Sequence, residues 1–306
     1  MPFVRLSQLV PLVLLAAALA GAGCGERSEP TGALGQTYPV TVQGAGDQPT
    51  VVDGRARRIV ALDPGGAELV GALGAGNRLV GVPTGARVPD ASRAKRVVSR
   101  TGGINVDEVI ALDPDLVLAT PTIDQIDLGR IEKATKAAVY VQPAASLKNV
   151  EEGAVDLGFL IGEPAKARQL VGRIERKVGS VQERLAGVQP ASVFVDTGFF
   201  ITVPERSLLG DLVKRARGES VAGPSPGPGP YPLSDLRQAN PEVFLATSDS
   251  DASLQSLKTN PVTAGLKAVK DKRVVILPAA LVNRAGPRVG AALEAVARAL
   301  HPDAFQ

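Results

Sequence analysis

Residues 107–120 read DEVIALDPDLVLAT, and residues 234–247 read SDLRQANPEVFLAT. Four of the fourteen positions are identical, and most others exchange like for like: Glu108 with Asp235, Val109 with Leu236, Asp113 with Asn240, Asp115 with Glu242. Each copy reads as a short helix stopped by a proline, because Pro114 and Pro241 lack an N–H and clash with the preceding turn. The apolar runs behind them, Leu116-Val117-Leu118 and Val243-Phe244-Leu245, suit strands buried on both faces, as in a parallel sheet. A chain that contains one such unit twice is expected to fold into two similar α/β lobes with a cleft between them.

The rest of the sequence fills in those lobes. Residues 38–43 and 50–53 flank Gly44-Ala45-Gly46-Asp47 and predict a hairpin. Strands are predicted at 58–62, 78–82, 137–141, 192–195 and 273–277. Helices are predicted at 68–73, from Ser146 to about Gly162, at 208–217, and at the end of the chain up to Leu300. Short αβ alternation of this kind marks mostly parallel sheets. Pro164 opens a helix running to about Ala186, with apolar residues at 167, 170/171, 174, 178, 181 and 185. At 1.5 Å per residue, such a helix is about 33 Å long and can cross a whole lobe. Its spacing also allows a coiled-coil seam, but a helix lying on a core fits the weakly charged flanks better. The chain therefore divides into an N-terminal lobe at 37–145, linking helices at 146–188 and a C-terminal lobe at 189–306. Residues 223–232 (GPSPGPGPYP) form a Pro/Gly loop.

The first residues read as an export signal: Arg5, then an apolar stretch from Leu9 to Ala20, then small residues up to Cys24. The run is too short to span a bilayer. Cys24 is the only cysteine of the chain, and its place behind LAGAG resembles a bacterial lipobox. We read 1–23 as a signal peptide, Cys24 as the lipidated residue and 24–36 as a flexible tether that leaves the protein anchored outside the cell membrane. With 34 Lys and Arg against 31 Asp and Glu and no basic run, nothing favours nucleic acid. His301 is the only histidine, which rules out a histidine-rich metal site and a Ser-His-Asp or Cys-His enzyme. There is no phosphate-binding G-x-x-x-x-G-K-[ST] loop. The glycines at 71–76 close a helix instead of opening one. Asp113 and Asp115 read as turn positions at a strand entrance. The inventory favours a binder that is no enzyme and carries no cofactor.

At this point the chain resembles the lipoprotein substrate-binding subunits of ABC importers for ferric siderophores, haem and vitamin B12. The likeness rests on YPVTVQGAGDQPTVVDGRARRIVALDPGGAELVGALGAGNRLVGV, GGINVDEVIALDPDLVLA, YPLSDLRQANPEVFLA and NRAGPRVGAALEAVARALHP, in that order. It implies two α/β lobes joined by one long helix, a ligand between the lobes, and a monomer that docks on a permease with its ATPase. Members carry one docking glutamate per lobe; Glu68 matches the first as an exposed acid at a helix start. The second position is Ser234, with Asp235 beside it as the substitute. For the ligand, strand ends facing the crevice nominate Arg87, Arg100, Thr120 and Thr122 from the first lobe. Phe199, Phe200, Tyr231, Asn283 and Arg284 come from the second, the arginines for an anionic chelate and the phenylalanines for stacking. A ferric siderophore and a corrinoid both remain open, while haem is disfavoured by the lack of histidine ligands. The alternative is a cell-envelope interaction or sensor protein that keeps the fold without transport, motivated by Ser234 and the few aromatics.

Overall fold

The structure is a computed structural model that describes residues 36–306 apart from Arg100 and Pro228. The leader, Cys24 and Arg100 therefore lie outside the described residues. The predicted hairpin forms, with β1 (Val40–Val42) antiparallel to β2 (Thr50–Val52). The N-terminal lobe then runs β3 (Ile59–Ala61), α1 (Pro64–Ala72), β4 (Leu79–Pro83), β5 (Lys95–Val98), α2 (Val106–Ala111), β6 (Leu116–Ala119), α3 (Gln125–Thr135) and β7 (Ala138–Val141). Its sheet has the order β5-β4-β3-β6-β7, and all its pairings are parallel. Two helices follow, α4 (Leu147–Leu160) and α5 (Pro164–Arg184). The C-terminal lobe comprises β8 (Ala191–Asp196), α6 (Leu208–Arg215), β9 (Gly218–Ser220), α7 (Leu233–Ala239), β10 (Val243–Thr247), α8 (Leu254–Thr259), α9 (Lys267–Lys270), β11 (Val274–Leu277), α10 (Ala279–Val282) and α11 (Val289–Leu300). Its parallel sheet has the order β11-β10-β8-β9.

The repeat occupies the same place in both lobes. Its strands are β6 and β10, each lying beside the first strand of its own sheet, β3 and β8. The chemistry of the join is also repeated. Asp113 and Asn240 both adopt φ of +45°, a left-handed conformation that Asp and Asn tolerate better than other side chains do. The next acid pins the neighbouring strand: Asp115 accepts hydrogen bonds from the N–H groups of Arg57 (2.7 Å) and Arg58 (3.0 Å). Glu242 accepts one from Ser192 N–H (3.4 Å). In both lobes the strand order reverses between these neighbours, and that switch point opens a crevice at the carboxyl ends of the strands.

α5 buries Ala167, Leu170, Ile174, Val178 and Val181, the stripe that the periodicity predicts, and packs on α4 and α11. The contact with α11 is close because Gly290 stands opposite; a Cβ there would lie 3.2 Å from Lys177 Cβ. One apolar core runs from β3, α1 and β6 through α4 and α5 to β8, β10 and α11. The helix α1 starts four residues before its predicted position. Asp63 accepts a hydrogen bond from Gly66 N–H as N-cap, and Pro64 supplies a ready helical φ, so Pro64-Gly65-Gly66 becomes the first helical turn.

Beyond β8, residues Thr197 to Phe200 form a tight turn. Thr197 N–H bonds Ile201 O at 2.8 Å and Ile201 N–H bonds Gly198 O at 2.9 Å. Phe199 and Phe200 both take positive φ, +53° and +59°, which costs about 1–2 kcal/mol for each such residue. Phe200 is compensated by an edge contact with Phe244 inside a cluster on the other face of the sheet. Phe199, 75% exposed, has no such compensation. Phe199→Gly is therefore expected to raise the melting temperature by the equivalent of about 1 kcal/mol, while Phe200→Ala lowers stability by about 3 kcal/mol. Calorimetric melting of the two variants checks this, and equal effects would contradict it.

Candidate functional site

A cleft of about 570 Å³ lies between the lobes, its walls mostly apolar. Asp63, Pro64 and Gly65 contribute the end of β3 and the start of α1. Thr120–Thr122 follow β6, and Pro143–Ala145 follow β7. The C-terminal lobe supplies Val203, Ser207–Leu209 at the head of α6, and Asn283–Ala285. Of the sequence candidates, Thr120, Thr122, Asn283 and Arg284 thus line one cleft. The hydroxyls of Thr120 and Thr122 bond each other at 2.9 Å. Thr247, the repeat mate of Thr120, is buried, and its hydroxyl has no hydrogen-bond partner among the described residues.

Four other candidates do not line the cleft. Arg87 borders a separate depression with Glu68, Asp90 and Arg288. Phe200 and Tyr231 belong to the aromatic cluster around Phe194 and Phe244. Tyr231 also donates its hydroxyl proton to Val221 O at 3.2 Å. Alternation along β8 and β10 turns Phe194 and Phe244 away from the common core, and a second set of rings must cover them. Phe199 projects from the turn that precedes Val203.

The lobes meet along a seam beside the cleft. Gly65 lies so near the 283–288 loop that a Cβ would stand 2.6 Å from Ala285 O. Ala285 O accepts a hydrogen bond from Nε2 of buried Gln142 at 3.0 Å. Next to it, the Glu68 carboxylate accepts hydrogen bonds from Arg284 (Nη1, 2.5 Å) and Arg288 (Nη2, 3.1 Å). Below the cleft, Asp211 on α6 accepts from Leu147 N–H (2.9 Å) and Arg215 Nε (2.8 Å). Glu68 is 6% exposed, which corrects its reading as an exposed docking acid. Its carboxylate is already taken by two guanidinium groups.

The exposed acids lie elsewhere. Asp235 is exposed on the first turn of α7, where the Ser234 hydroxyl donates to it at 3.0 Å. The repeat aligns Ser234 with Asp107 and Asp235 with Glu108. Asp107, on the first turn of α2, has a side chain 91% exposed. Sequence reasoning missed Asp107, although the repeat contained the signal.

Asp63 is a second residue missed. One carboxylate oxygen caps α1, and the other, Oδ2, is buried without a hydrogen-bond partner. Burial pushes this carboxyl above the ordinary range, against the pull of the Gly66 and Gly65 N–H groups; Glu68 adds to the rise and Arg284 opposes it. No group of three or more His, Cys, Asp or Glu residues is placed to hold a metal ion among the described residues.

Residues 59–281 match the model of the periplasmic binding protein family. The chain belongs to that family. It is 26% identical over 308 residues to the ABC transporter substrate-binding lipoprotein YvrC of Bacillus subtilis, itself uncharacterized, covering 96% of both chains. It is also 26% identical over 277 residues to a cobalamin-binding protein of Halobacterium salinarum, covering 87% of this chain and 75% of the relative. Its fold matches the crystal structure of Helicobacter pylori CeuE with Ni(II) bound, with a TM-score of 0.74, 20% identity, and coverage of 87% of this chain and 90% of the other. The family's two-lobed architecture is thus the one derived from the repeat.

A raised carboxyl pKa means that the folded state holds its proton more tightly than the unfolded chain. Stability linked to Asp63 is then full below its ordinary value near 4 and falls as pH rises through the folded value. Asn caps helices as well as Asp does. Asp63→Asn should therefore melt higher than the parent at pH 7, and the gain should vanish below about pH 4. Thermal melts across that range check the sign; a loss at pH 7 would contradict it.

Proposed function

We propose that this protein is a lipid-anchored, extracytoplasmic receptor that captures an iron chelate or a corrinoid and delivers it to an ABC importer. The observation that carries this reading is the open cleft between two lobes at their switch points. Its apolar walls suit one bulky, partly apolar compound, with Thr120, Thr122 and Asn283 to orient it. The cobalamin-binding relative and the substrate-binding lipoprotein support the ligand class and the anchor. Phe199 is kept as a ligand contact because it stands on the segment leading into the cleft wall. Its strained backbone fits a residue held for function. Cys24 carries the anchor in this reading, and the chain acts as a monomer.

Permease docking is assigned to Asp107 and Asp235. Each lies on the first turn of a repeat helix and is exposed; Asp107 would exchange only a loose, exposed pair with Arg130 at 3.6 Å for a guanidinium fork of the permease.

The test is calorimetry of the purified protein with cyanocobalamin, a ferric siderophore and haemin, alongside uptake of the bound compound by cells. One compound is expected to bind with a dissociation constant below about 1 μM. Asp107→Arg combined with Asp235→Arg should leave binding intact and stop uptake. If none of the three compounds binds, the ligand reading fails. Unimpaired uptake by the double variant would return the docking face to the unknown and favour an envelope role without transport.

A further inference from the structure

Among the described residues, the charged side chains lining the cleft are Arg284 and Asp63. Arg284 is the cation that an anionic chelate would seek, and its side chain is 18% exposed. It is already committed, however. Glu68, reaching from α1 of the other lobe across 216 positions of sequence, holds it at 2.5 Å. Glu68 also holds Arg288, whose guanidinium is more exposed and further fixed by Ala280 O at 3.0 Å. Two guanidinium groups and one buried carboxylate belong to the seam, and Asp63 caps the helix that carries Glu68. Glu68 cancels the charge of Arg284, and Arg288, the remaining cation, does not line the cleft. In a poorly hydrated wall, a guanidinium that is ion-paired at this distance adds little net field to the cavity.

We propose that Glu68 is the specificity-determining residue that sets the charge preference of this cleft. By holding Arg284 in a closed pair, it leaves the site without surplus positive charge, and the cleft selects uncharged ligands over polyanionic chelates. A ligand with three negative charges would need a cation, and taking Arg284 from Glu68 would leave a buried carboxylate short of its partner. An uncharged ligand loses nothing, since apolar walls and a few hydroxyl and amide groups already match it. This inference rests on reading the cleft as the ligand site, and it narrows the ligand class within that reading.

The experiment is calorimetry on the full-length protein with three probes: cyanocobalamin and a ferric trihydroxamate, both uncharged, and a ferric tris-catecholate carrying three negative charges. The parent is expected to bind one or both uncharged probes more tightly than the trianion. Glu68→Gln keeps the shape but frees two positive charges, and should shift the affinity ratio toward the trianion by about tenfold or more. Arg288→Gln leaves Glu68 one guanidinium and should shift the ratio the other way. If Glu68→Gln does not fold, as judged by circular dichroism, the Arg288→Gln shift decides. Probe binding by the parent with ratios unchanged in the folded variants overturns the charge proposal alone, as does a parent that prefers the trianion. Binding of no probe by any of the proteins overturns this proposal together with the ligand reading beneath it.

Discussion

The architecture depends on how the repeated strand of each lobe is pinned to the lobe's first strand. In the N-terminal lobe, two backbone N–H groups at the entrance of β3 donate to the carboxylate of Asp115. In the C-terminal lobe, the N–H at the entrance of β8 donates to Glu242. A left-handed Asp113 or Asn240 sets the preceding corner. A one-residue slip of either strand would turn its side chains to the opposite face. With register set at the entrance, the exits of β3 and β6, and of β8 and β10, fall side by side. A crevice at the switch point follows from that placement.

Two lobes with crevices do not by themselves make a defined cleft; their relation must also be fixed. Here α5 lies against α4 and α11 over one shared core, and the seam closes beside the cavity. The seam needs a glycine at position 65, a buried amide at Gln142 and the Glu68 ion pairs. Breaking one partner of such a buried pair strands the other, which is far costlier than an exposed pair would be. The result is a cleft whose walls are preset before any ligand arrives.

Much of this was legible in the sequence, because it is local or periodic. The repeat, the α5 stripe and the proline stops all carry their meaning within a few residues. The burial of Glu68 was not legible: a helix-start acid looks the same whether it faces water or meets two arginines from the far end of the chain. The start of α1 was missed because two glycines read as a turn until Asp63 and Pro64 are recognised as cap and first residue. Phe200 and Tyr231 were assigned to the ligand because aromatic residues near a strand end suit either role. Alternation along β8 and β10, which turns Phe194 and Phe244 to the opposite face, carried the signal for the core role. Asp107 was available too, as the repeat mate of Ser234.

The central claim is that seam and helix hold the two lobes in one arrangement. With Cys24 as the only native cysteine, paired spin labels can be placed at Asp107 and Asp235 in a Cys24→Ser background. The distance between them can then be measured by pulsed electron resonance with and without bound ligand. The account predicts one narrow distance distribution that ligand leaves nearly unchanged. A broad distribution in the free protein, or a shift of several ångströms on binding, would show that the lobes hinge and would contradict it.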